Sequence, residues 1–176
     1  MSLKKDLLDQ AHQLARHEPK RPRQASLRRA VSTGYYAVFH LLVDAASREI
    51  VSGQGQDMVR QSVGRALNHS DMKNACQALA NWNRRNPPRP LGPMMPGGPN
   101  TDVQTVASAF VELQQARHEA DYDLSCRFSR SDVFALLKLA DDAFAAMARI
   151  KMADPMKCGI LGIRNTIPRE RERGSI

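Results

Sequence analysis

An all-α chain, folded as an antiparallel helical bundle, is predicted by three observations. Apolar residues such as Val133, Phe134, Leu137, Ala140, Phe144, Met147 and Ile150 recur at three- and four-residue spacing, the period of one helix face. No stretch of convincing length alternates apolar and polar residues as a half-buried strand would. At 176 residues the chain is long enough for one domain with a sizeable core.

The first helix is expected over about 3–17 and is stopped by Pro19 and Pro22, since proline lacks a donor and restricts the residue before it. The second, over about 24–51, is the longest and ends at Ser52-Gly53-Gln54-Gly55, a glycine-bearing stop. Helices over about 57–67 and 70–83 follow, the latter N-capped by Ser70. Residues 86–99 hold six prolines and three glycines, a composition that forms neither helix nor central strand. This loop exceeds the roughly two to eight residues that join bundle helices, so it is expected to move or to pack across a partner or site. Thr101 and Gln104 read as a capping box opening a helix to about 120. An irregular link over 123–128 leads into a final helix over about 131–152. Pro155 and the segment 159–162 end regular structure, leaving a basic, poorly structured tail over 154–176 whose Ile160, Leu161 and Ile163 are expected to dock weakly on the bundle.

The formal net charge is +8 and the isoelectric point near 9.9, which favours acidic or polyanionic partners. Arg16, Lys20, Arg21, Arg23, Arg28 and Arg29 cluster around the first turn, Arg84, Arg85 and Arg89 in a second loop, and Arg164, Arg169, Arg171 and Arg173 in the tail. Such clustering suits contact with phosphates. No apolar run approaches the ~20 residues that cross a bilayer, and Met1-Ser2-Leu3-Lys4-Lys5-Asp6 lacks the apolar segment of a secretion signal. A cytoplasmic protein with no membrane association is expected. Cys76, Cys126 and Cys158 are far apart, the histidines lack metal-ligand spacing, and no lysine and Ser/Thr follow Gly97-Gly98 as in a phosphate loop. Neither metal nor cofactor is expected.

Two patches place polar chemistry in otherwise apolar helices: Ser32-Thr33-Gly34-Tyr35-Tyr36-Ala37-Val38-Phe39-His40 and Arg117-His118-Glu119-Ala120-Asp121-Tyr122. The apolar stripe Val103, Val106, Ala107, Phe110, Leu113 reaches Arg117 next, and Asp121 stands one turn beyond. A partly buried Arg117–Asp121 pair close to Tyr36 or His40 is therefore expected. Breaking a buried pair costs about 3–5 kcal/mol. In the first patch Arg29, Thr33, Tyr36 and His40 share one side of the helix. Taken singly, each polar residue reads as a satisfied core group; two such patches together point to a site.

Tyr-Tyr-Ala-x-Phe-His on an early long helix, with Arg-x-x-Ala-Asp-Tyr near the end of a later one, resembles the HEPN superfamily of small α-helical proteins over roughly residues 24–150. The resemblance implies a HEPN-like helical domain over 1–153, a homodimer, and RNA or a nucleotide as ligand. Many members are metal-independent RNases, often toxins paired with a nucleotidyltransferase-like partner, and others are catalytically silent. The family's active motif is Arg, a polar residue, several residues, then His. Arg117 and His118 match its first two positions, whereas Tyr122 stands where the distal histidine is expected. A histidine with a pKa of about 6.5 takes a proton from a ribose 2′-hydroxyl at neutral pH, and a tyrosine near about 10 does so poorly. Proton transfer then falls to His118, His40 or His69, with Arg117 stabilising the developing charge and Tyr36, Asp121, Tyr122 and Arg29 supporting or binding substrate. Arg65 and His69, one turn apart, form a further Arg/His pair, although Asn68 and Ser70 mark a helix break that reads His69 as an exposed turn residue. Two functions stay open: a metal-independent endoribonuclease of toxin or defence type, and a catalytically silent dimerisation or partner-binding module.

Overall fold

The computed structural model describes residues 2–67, 69–89 and 91–150. Regular structure among them is helical throughout: α1 (Leu3–Arg16), α2 (Gln24–Ile50), α3 (Asp57–Ala66), α4 (His69–Ala80), α5 (Leu91–Met94), α6 (Thr101–Tyr122) and α7 (Arg130–Arg149). The expected tail over 154–176, with its arginines and its docking residues, lies outside the described residues.

Helix α2 is central because it is apolar on most of its circumference: Leu27, Val31, Tyr35, Val38 and Leu42 are all buried. Such a helix needs neighbours on several sides, and α2 packs against α1, α3, α6 and α7. Helix α6 turns Val103, Val106, Phe110 and Leu113 inward and packs against α2, α4 and α7. The core divides into two clusters. The larger gathers Tyr35, Phe39, Met72, Leu79, Phe110 and Leu113; the smaller gathers Ala11, Leu27, Val31, Ala116, Ala120 and Leu137. Arg117 follows Leu113 and Ala116, so α6 delivers it to the seam between them.

Gly34 lets α1 and α7 approach α2. A Cβ there would lie 2.7 Å from Leu137 Cδ2 and 4.0 Å from Ala11 Cβ. Alanine gains about 1 kcal/mol of helix propensity against that overlap and is expected to be near neutral. Gly34→Val is expected to cost about 2 kcal/mol by overpacking a closed seam, read as a lower urea midpoint with unchanged slope.

Helix ends differ from their sequence reading in four places. Asn100, not Thr101, caps α6, its side chain accepting from Val103 N at 2.9 Å; the cap lies one residue before the apparent box, so Thr101 is the first residue of the helix. Ser129 and Asp132 form the reciprocal box of α7, placing its start just before the expected residue 131. Helix α4 begins at His69, which puts Ser70 in the first turn rather than at the cap. Within 86–99, Leu91–Met94 makes one helical turn. Pro93 is tolerated there because the first residues of a helix have no intrahelical acceptor for their N–H. Leu91 and Met95 are buried in the larger cluster, and Gly98 (φ 76°) sits where a Cβ would be 2.8 Å from Trp82 Nε1.

Arg28 is the main surprise at the other end of α6. Its guanidinium donates to Ala120 O at 2.8 Å, Glu119 O at 3.4 Å and Asp123 O at 2.9 Å, and also to Cys126 O. The last carbonyls of a helix lack backbone donors and carry partial negative charge, which a cation satisfies. Arg28 therefore closes α6 and leaves the set of side chains free for phosphates.

Candidate functional site

Three helices build the site, and one ridge of α2 organises it. Residues Arg28, Ser32, Tyr36 and His40 are spaced by four, forming the i, i+4 ridge along which a crossing helix packs. The end of α6 follows that ridge. Arg28 holds its carbonyls, the Ser32 hydroxyl donates to Asp121 Oδ1 at 2.5 Å, and the Tyr36 hydroxyl accepts from Arg117 Nη2 at 3.2 Å. Arg29, beside the ridge, is exposed and stands apart from this network, although its spacing to Thr33 and Tyr36 placed it in the site.

Arg117 Nε lies 2.7 Å from Asp121 Oδ2, with the two side chains 24% and 27% exposed. The pair expected from their spacing thus forms. Its N–H is not aligned as a hydrogen bond, so the attraction is coulombic. The guanidinium carbon lies 5.7 Å from the Tyr36 ring centroid and 5.3 Å from that of Tyr122, within range of a cation–π contact. Burial works against the charge, but Tyr36, Asp121 and Tyr122 together hold the guanidinium pKa above its ordinary value.

His69 enters from the start of α4. Its Nδ1 is 2.6 Å from the Tyr35 hydroxyl, its ring stacks on Phe39 with centroids 4.0 Å apart, and it meets Tyr36 edge-on at 6.1 Å. Tyr36 consequently stands between Arg117 and His69. His69 is exposed, as its sequence reading has it, but it opens α4 rather than standing in a turn, and its imidazole is held by three aromatic side chains of α2. Arg65, one turn before it in the chain, is exposed on α3. His40 is half-buried, edge-on to Phe39 at 5.5 Å, and close enough to His69 to act on its charge. His118 is exposed, its ring 5.1 Å from Tyr122, on the outer side of α6.

Burial lowers the pKa of His40, and burial followed by the charges of Arg117 and His40 lowers that of His69. Burial pushes the Tyr35 hydroxyl up against the pull of Arg117, so it stays protonated. The buried Cys76 thiol is pushed up to about 12, which makes it unreactive. Among the described residues no group of three His, Cys, Asp or Glu side chains is placed to hold a metal ion, and no helix is long and apolar enough to cross a membrane.

The depressed imidazoles set a pH dependence. The unfolded chain takes up protons as pH falls through about 6.5, before the folded chain does, so stability is full above that value and declines below it. The urea midpoint is expected to drop between about pH 7.5 and about pH 5.5. The drop should shrink when His40 and His69 are both changed to glutamine; an equal drop in that variant would assign the effect elsewhere.

Three contributing residues went unread in the sequence. Ser32 and Tyr35 lay within the first patch without assigned roles, and the four-residue ridge through Arg28 and Ser32 was the available signal. Gln114, which bonds to the Tyr35 hydroxyl from α6, had no local signal at all. Scans against protein-family models and searches of curated proteins and of solved structures find no match to this chain.

Proposed function

We propose that this chain is a HEPN-like, RNA-directed helical module whose Arg117 receives a phosphodiester, which is cleaved by attack of the adjacent ribose 2′-hydroxyl without a metal ion. The observation that carries this reading is the setting of Arg117. Its guanidinium is oriented by Asp121, Tyr36 and Tyr122, remains about a quarter open to solvent, and shares Tyr36 with the imidazole of His69. A positioned cation beside a titratable imidazole suits a reaction that moves one proton and builds charge on phosphate oxygens. The net charge of +8 supports attraction of a polyanion at long range.

The antiparallel bundle, the homodimer and a nucleotidyltransferase-like partner of a toxin or defence pair belong to the same reading. Tyr122 and Leu124, 63% and 90% exposed, lie at the end of α6 where a second subunit would cover apolar surface next to Arg117.

The second reading, a catalytically silent dimerisation or partner-binding module, is favoured by the closure of the network on itself: Asp121 already neutralises Arg117, and Ser32 holds Asp121. Incubation of purified protein with total RNA in EDTA, beside a filter-binding series in salt, separates the two. Cleavage in EDTA with salt-sensitive binding is the expected result. Intact RNA together with no retention at low salt, where phosphate contacts are strongest, would replace the first reading by the second.

A further inference from the structure

We propose that His69 donates a hydrogen bond from Nε2–H to a phosphate oxygen of RNA bound at Arg117, with Tyr35 and Gln114 as the residues that fix its proton. The inference rests on Arg117 receiving a phosphodiester, as proposed above, and adds a neutral donor from α4 to that contact.

Three contacts hold the imidazole: the stack on Phe39 at 4.0 Å, the edge of Tyr36 at 6.1 Å, and the approach of Nδ1 to the Tyr35 hydroxyl at 2.6 Å. A ring restrained in this way keeps its other nitrogen in one direction. The residue is exposed, and among the described residues Nε2 has no hydrogen-bond partner, so that nitrogen is left for solvent or a ligand.

A chain of hydrogen bonds through the core decides which nitrogen carries the proton. Gln114 bonds to the Tyr35 hydroxyl from α6 and pulls its pKa down, as a donor to the phenolate does. The Gln114 Oε1 is buried without a partner, so the contact is made by the amide N–H and the Tyr35 oxygen accepts. Burial keeps Tyr35 protonated, and its own hydrogen is directed to His69 Nδ1. A neutral imidazole that accepts at Nδ1 carries its hydrogen on Nε2. The outward nitrogen is consequently a donor, and the 2′-hydroxyl proton is not taken there.

The surrounding charges suit a neutral donor. Burial, then Arg117 from α6 and His40 from α2, disfavour a charged His69, because a second cation beside a guanidinium is repelled. A neutral N–H escapes that repulsion and still makes a strong, directional bond to an ionised phosphate oxygen. Arg117 and His69 both lean on Tyr36, the guanidinium at its hydroxyl (3.2 Å) and the imidazole against its ring. That shared side chain places a cation and a neutral donor beside one RNA strand.

The test uses the full chain and two probes: a labelled oligoribonucleotide in EDTA, and a 2′-O-methyl strand of the same sequence, which lacks the attacking hydroxyl. At about pH 7.5, where the imidazole is neutral, ¹⁵N shifts of the wild type should report the Nε2–H tautomer for His69. The Nε2 signal should move when the 2′-O-methyl strand is added. Tyr35→Phe should yield a mixture of both tautomers, and an unchanged tautomer would remove Tyr35 from its positioning role. His69→Gln, which keeps an amide N–H near the place of Nε2, should retain most of the cleavage rate. His69→Phe keeps the stack on Phe39 without a donor and should cleave on the order of 10- to 100-fold more slowly, the worth of a hydrogen bond to a charged group. An Nδ1–H tautomer overturns this inference, as does an Nε2 signal that the 2′-O-methyl strand leaves unmoved. Wild-type cleavage by His69→Phe also overturns it, and so does His69→Gln cleaving as slowly as His69→Phe. A wild type whose Nε2 signal moves while RNA stays intact overturns the cleavage reading alone, and one that neither cleaves nor binds overturns both.

Discussion

On the proposed cleavage reading, replacing Arg117 by alanine is expected to slow RNA cleavage in EDTA by about 10²–10³, the usual cost of removing one positioned donor from a site that stabilises developing charge. On the same reading, binding at low salt should weaken far less, because a net charge of +8 would attract a polyanion through many cations at once. Arg117→Lys should recover only part of the rate. A lysine keeps the charge but cannot lie planar between the Tyr36 and Tyr122 rings while reaching both Asp121 and the Tyr36 hydroxyl. Stability separates this effect from misfolding. A fully buried pair would lose about 3–5 kcal/mol on removal of one partner, but these side chains are 24% and 27% exposed and Asp121 retains Ser32. The loss should accordingly be about 1 kcal/mol, nearer to that of solvent-screened pairs. Rate measurements and urea midpoints on the same preparations check both figures, and a variant that cleaves as fast as the wild type would remove Arg117 from the chemistry.

Arg28→Ala is expected to be the most damaging of the arginine substitutions for the fold, at about 3 kcal/mol. Hydrogen bonds to a charged group contribute about 1.5–3 kcal/mol each, and this guanidinium serves four carbonyls at the end of α6 and in the link beyond it. The contributions overlap, because one side chain is removed and water reaches some of the freed carbonyls, so the total stays well below the sum. In a chain of this size that loss lowers Tm by roughly 6–12 °C. Arg28→Lys should restore little, since a single ammonium cannot reach carbonyls spread from Glu119 to Cys126. Arg29→Ala is the control: Arg29 is exposed, and its loss should stay within about 0.5 kcal/mol. Amide exchange over the last turn of α6 should accelerate in Arg28→Ala alone. Equal stability of the two variants would show that the carbonyl contacts contribute nothing.

That contrast between adjacent arginines illustrates what a linear reading misses. Both lie in the same basic run, and charge counting treats them alike. They differ by about 100° around α2, and only the path of α6 across the Arg28–Ser32–Tyr36 ridge decides which is consumed in the fold. His69 is a second instance. A histidine beside a helix break has no local feature that predicts a buried tyrosine hydroxyl at its Nδ1, because Tyr35 is 34 residues away and approaches it through the packed core.

The sequence by itself determined the helical content, the approximate bounds of the long helices and the Arg117–Asp121 pair, because each depends on neighbours three or four residues apart on one helix. It also carried the seam, since the stripe from Val103 to Leu113 directs Arg117 inward. Only the tertiary structure decided which side chains meet there. Ser32, Tyr35, Gln114 and His69 come from α2, α6 and α4, and the crossing of those helices is set by how whole faces interlock. Packing of that kind sums weak contacts over many residues distant in the chain, so no short spacing records it.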